Sequence, residues 1–110
     1  MRVKILDKFW NLEFAKISNK DDNGCCDAPD KPGKKLKVRR SLRGEKVVEI
    51  VLHETHHAAD WFKDEEWVED LAAQQAKILC RKEVLERVLD SERLLKQVEH
   101  ILAKHGYVKE

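Results

Sequence analysis

No stretch of this chain is apolar for long enough to cross a bilayer, which takes roughly 18 consecutive residues or more. The N-terminal segment MRVKILDKFWNLEF carries charges throughout and has neither an apolar core nor a small-residue cleavage site, so it does not read as a secretory signal. Cysteine is scarce and odd in number, with Cys25 and Cys26 adjacent and Cys80 far away. Adjacent cysteines seldom pair with each other and there is no CxxC, which argues against a disulfide framework or a thiolate metal cluster. Free thiols without a leader predict a cytoplasmic protein. Charge of one sign is also missing. The formal net charge is +1, so the molecule as a whole selects no partner, and any electrostatic argument must rest on local patches.

What is present suits one small soluble domain spanning 1–110. Of its 110 residues, 42% are hydrophobic and 39% charged, enough for a single modest core under charged helix surface. Residues 2–17 alternate weakly, with Val3 and Ile5 on one face and Trp10, Leu12 and Phe14 on another, as two strands of a hairpin would. Residues 18–35 hold both prolines with Asn, Asp and Gly, and predict a long loop. Residues 35–42 alternate again, Leu36, Val38 and Leu42 against Lys35, Lys37, Arg39 and Ser41, which fits a strand with one wet face. Helices are expected over 43–61, over 65–81 with Asp64 as its cap, and over 83–105, with a possible break at Asp90-Ser91 and a stop at Gly106. The expected class is α+β: a small antiparallel sheet packed on the first helix, with further helices toward the C-terminus.

That first helix carries HETHH, an HExxH pattern at His53, Glu54 and His57. On a helix, positions i and i+4 share a face, and two imidazoles so placed can meet one Zn²⁺ at ~2.0–2.1 Å. The intervening Glu54 is then the candidate general base, taking a proton from zinc-activated water and passing it to the leaving amine. The bland reading is a helix with surface histidines. Against it stand Val47, Val48, Ile50, Val51 and Leu52, which leave little room for a solvent face. Histidine and glutamate entering such a helix need partners.

Two histidines leave a third ligand to find. Asp60 sits on the same face but too far along the axis for a short carboxylate, at 1.5 Å rise per residue. The next helix begins with Glu65, Glu66, Glu69 and Asp70. Run back antiparallel, it can bring one of these to the metal, and another to the free nitrogen of a ligating histidine. Glu66 is the expected ligand, paired with Asp70 on one face; counting levels about the turn slightly favours Glu69, and Glu65 and Asp60 remain alternatives. His56 lies about 100° round the helix. His100, His105 and Tyr107 read as solvated, helix-end and packing residues.

The segments GCCDAPDKPGKKLKVRRSL, VLHETHHAADW, DEEWVEDLA and ILAKHGY together resemble minimal zincin-type metallopeptidases, of the SprT-like or ImmA-like kind found in bacteria and phages. Only HExxH is specific among them. The resemblance implies zinc at His53 and His57, Glu54 as general base, an acidic third ligand around Glu66, and 35–42 as the strand beside the cleft, where an edge strand pairs with an extended protein or peptide substrate. Residues 81–97 depart from the pattern as an insertion, and the metzincin continuation is missing.

A second function class comes from charge. Between Lys31 and Lys46 lie Lys34, Lys35, Lys37, Arg39, Arg40 and Arg43, with Glu45 the sole acid. A basic strand face can hold a phosphate backbone, so Lys34, Lys35, Lys37, Arg39 and Arg40 are candidate nucleic-acid contacts in a binding module whose metal would be structural. The competing reading is a solvated edge strand whose charges prevent aggregation.

Overall fold

A computed structural model of the chain describes residues 1–90, 96–97 and 99–100. The chain divides into two compact units, Met1–Lys77 and Ile78–Glu110. The first holds a four-stranded sheet, β1 (Arg2–Ile5), β2 (Lys8–Ala15), β3 (Gly24–Cys26) and β4 (Lys35–Arg39), then helix α1 (Glu45–Ala59) and most of α2 (Glu65–Leu79). In the second, α3 runs Lys82–Leu89 and ends at Asp90, where the sequence offered a break. The class is α+β, and among the described residues no helix is long and apolar enough to cross a membrane. Much of the helix expected over 83–105, and the readings placed on His105, Gly106 and Tyr107, fall outside the described residues.

The sheet is mixed rather than antiparallel. Its order is β1-β2-β4-β3; β1 and β3 run antiparallel to their neighbours, while β2 and β4 are parallel. The reason lies in residues 18–35, which are not one loop. Gly24–Cys26 forms a third strand inside them, so the chain reverses twice between β2 and β4, which therefore run in the same direction. β3 and β4 are tied into a hairpin where the Asp27 amide donates to the Lys35 carbonyl at 3.0 Å and the Lys35 amide donates to Asp27 Oδ2 at 2.9 Å. Residues 35–42 are consequently not an edge. β4 is paired on both sides, and the edges are β1 and β3, with β3 beside β4.

Strand alternation sorts the sheet into two faces. Trp10, Leu12, Leu36 and Val38 point to one side and are buried with Ile50 and Ala58 of α1. The alternate residues of these strands, Arg2, Lys4, Phe9, Asn11, Glu13, Lys35 and Lys37, share the opposite face, as the registers Arg2↔Asn11↔Lys35, Lys4↔Phe9 and Glu13↔Lys37 require. Arg39 serves the fold. Its guanidinium donates to the carbonyls of Ile17, Asn19 and Asp22, bracing the connection from β2 to β3.

Asp64 caps α2 as expected, its Oδ2 accepting the Trp67 amide at 3.1 Å. The buried positions of α2 are Val68, Ala72 and Ala76, at strict i, i+4, i+8 spacing, whereas Trp67, Ile78 and Leu79 are exposed. The helix thus buries Val68 and two alanines and leaves its larger apolar side chains Trp67, Ile78 and Leu79 at the surface.

Candidate metal centre

α1 starts after Gly44, whose φ of 66° is the left-handed conformation glycine adopts freely, and it ends where Asp60 turns extended. Between these limits His53 and His57 stand one turn apart on the same face. Their Nε2 atoms are 3.1 Å apart and their rings meet edge to face at 4.8 Å between centroids. Glu65, the first residue of α2, reaches both: Oε1 lies 2.9 Å from His53 Nε2 and Oε2 lies 2.7 Å from His57 Nε2. The three side chains offer ligand atoms that all lie within 4.8 Å of one another.

This donor set fits a metal ion. Two imidazole nitrogens and a carboxylate directed at one point are the ligand types and number that zinc takes when one coordination position stays open. Helix-surface histidines without a shared target would spread toward solvent, yet both imidazoles here are only 15% exposed.

Glu66, the expected ligand, is exposed and is not in this group. The Asp64 cap sets the phase of α2. Glu65 is its first helical residue, and Glu65 with Glu69 forms the i, i+4 pair that lines the same cavity as the histidines. Glu66 and Asp70, one position further, face about 100° away. Asp60, past the end of α1, does not join the cluster. His56 holds the two helices together instead: its Nε2 lies 2.6 Å from Gln75 Oε1, and its ring meets Trp67 edge-on. His100 is exposed.

Glu54 is the one charged residue buried among those described, with 5% of its surface exposed. Its Oε1 stands 3.8 Å from His53 Nε2. Burial, and after it the negative charges of Glu65 and Asp22, push its carboxyl pKa up to about 7. Room for it comes from Gly24 on β3. A Cβ there would stand 2.8 Å from Ile50 Cγ2, 2.9 Å from the Lys37 carbonyl oxygen and 3.0 Å from Glu54 Cγ. Beside Glu54, burial also drives the Cys26 thiol up to about 12.

Histidines, Glu54 and Glu65 open onto a cavity of about 360 Å³ whose far wall is Asp21, Asp22, Asn23 and Gly24. Sequence reasoning missed this wall. A three-residue strand inside a Pro-, Gly- and Asp-rich segment has too short an alternation to register; the lone Gly24 before two cysteines was the available sign of a close backbone approach.

Compared with protein-family models, curated proteins and solved structures, the chain matches none.

Proposed function

We propose that this protein is a zinc-dependent metallopeptidase of minimal zincin type, cutting peptide bonds in protein or peptide substrates. The observation that carries the reading is the convergence of His53, His57 and Glu65 on one point beside the buried Glu54. When bound, zinc supplies a Lewis acid that polarises a carbonyl and acidifies water toward neutrality. The chain supplies the rest. Glu54, buried beside His53, is placed to accept the proton of the attacking water and to return it to the leaving amine. Edge strand β3 lines the same cavity, and an extended substrate backbone can lie along it by strand addition. The three free thiols favour the cytoplasm as its compartment.

A binding module with a structural metal needs a closed shell of four ligands. Among the described residues the group has three members, which favours catalysis. Metal content by mass spectrometry tests the site: about one zinc per chain in the natural protein, lost in His57→Ala and kept in Glu54→Gln. Cleavage of an unfolded protein should follow zinc and vanish in Glu54→Gln. Absence of bound metal after zinc is offered would overturn the proposal.

A further inference from the structure

The sheet has a second face, opposite the helix and away from the metal cluster. The sequence suggested a basic stripe from Lys31 to Lys46, and the fold breaks that stripe up. Lys31 pairs with Asp27 at 3.5 Å and Lys46 with Glu49 at 2.8 Å. Arg39 is committed to the carbonyls of Ile17, Asn19 and Asp22, and Arg43 to those of Arg40 and Leu42. What remains is Lys34, Lys35, Lys37 and Arg40, which lies just past the end of β4, and strand pairing joins to Lys35 and Lys37 two cations from the other end of the chain. Arg2, Asn11 and Lys35 form one row across three strands, and Lys4 stands beside Phe9 in another. Neighbouring strands are ~4.8 Å apart and successive residues of one face ~7 Å, so these cations make a compact field. Two acids share this side: Glu13 lies 3.8 Å from Lys35 Nζ, and Asp27, opposite Lys35 across the β3–β4 pair, is held by Lys31 at 3.5 Å and by the Lys35 amide.

An exposed aromatic ring sits in that field. Phe9 is 48% exposed, with the Arg2 guanidinium 3.8 Å above its centroid and Lys4 Nζ at 5.7 Å. Beside it Arg2, Phe9, Trp10, Asn11, Gly33 and Lys34 line a concavity of about 200 Å³, the size of a small planar ring system. Cations around an exposed ring on an open sheet are what an unpaired nucleic-acid strand requires. The phosphates take the cations, and a base stacks on the ring or on the guanidinium plane covering it. A duplex satisfies only the first half, because its base faces are already stacked.

We propose that the open sheet face formed by Arg2, Lys4, Phe9, Lys35 and Lys37, with Lys34 in the adjoining concavity, binds single-stranded nucleic acid, independently of the metal cluster on the other side of the sheet. The test is fluorescence anisotropy of a labelled 15-nucleotide oligothymidylate with the full chain. Three or four phosphate contacts predict affinity falling roughly 20- to 50-fold between ~50 and ~200 mM salt. Phe9→Ala should weaken binding at least ~5-fold through lost stacking, and Lys37→Glu should weaken it and flatten the salt dependence. Circular dichroism checks that both variants fold; a variant that does not is replaced by Phe9→Leu or Lys37→Gln. His57→Ala should bind as the natural protein does. The proposal is overturned by no binding at low salt, by duplex bound as tightly as single strand, by affinity indifferent to Phe9, or by anionic vesicles or an acidic peptide competing as well as the oligonucleotide.

Discussion

Gly24 on β3 lies so close to Glu54 on α1 that a Cβ on the glycine would come within 3.0 Å of Glu54 Cγ. Two of the three atoms it would meet, the Lys37 carbonyl oxygen and Ile50 Cγ2 at 2.9 and 2.8 Å, belong to backbone and packed core, and neither yields easily. Gly24→Ala should therefore lower stability by roughly 1–3 kcal/mol, the usual cost of overpacking, read as a drop in denaturant midpoint. Glu54 would have to move as well, so peptidase activity should fall further than stability does, while zinc binding persists. Unchanged stability and activity would show that the close approach has no consequence.

Glu65 and Glu66 are adjacent in sequence, but only Glu65 stands with the two histidines. Glu65→Ala should weaken zinc binding by at least ~100-fold, the upper end of what removing even a partner of a ligand costs. Glu66→Ala should leave it unchanged. Competition against a chromophoric chelator measures both. The reverse ranking would move the third ligand to the next face of α2.

Glu54 predicts a pH dependence in protein stripped of metal. Its carboxyl is raised from the ordinary 4.5 to about 7 in the folded chain, so between these values the folded state holds a proton that the unfolded state has released. Stability is thus fully present below about 4.5 and is lost as pH rises through about 7, by up to roughly 3 kcal/mol. Glu54→Gln carries no charge to desolvate. The natural protein minus this variant should show the decline when urea midpoints are compared from acid to slightly alkaline pH. A flat difference would show that Glu54 titrates normally.

Leu6 turns the β1–β2 hairpin at φ 54°, a conformation costing a side chain other than Gly or Asn roughly 1–2 kcal/mol. The side chain is 74% exposed, so little packing offsets that cost. Leu6→Asn should raise stability by about 0.5–1 kcal/mol, seen as a higher melting temperature. A lower one would mean that Leu6 makes a contribution its exposure does not suggest.

The helical elements were legible because helix signals are local. HETHH implies two imidazoles on one face at 3.6 residues per turn, and Asp64 before a run of acids marks a cap; the chain folds accordingly at both places. The wet face of 35–42 was legible for the same reason, since period-two alternation survives whatever the neighbours are. The acid that stands with the histidines was not. Glu65, Glu66 and Glu69 differ by rotations of about 100° on one helix, and which of them meets the histidines depends on how α2 comes back from α1, a long-range matter.

By itself, then, the sequence determined the α+β class, the helix that carries HExxH, and the alternation that divides the sheet into an apolar and a basic face. Each follows from spacing within a few residues. Tertiary structure alone decided the rest. β3 entered the sheet as its edge and made β2 and β4 parallel. Gly24 came against Glu54, Glu65 came between the histidines, and Arg2 and Lys4 joined cations more than thirty positions away. Such neighbours are chosen by strand pairing and helix docking, where side chains distant in sequence bury a shared surface, and no local pattern records that choice.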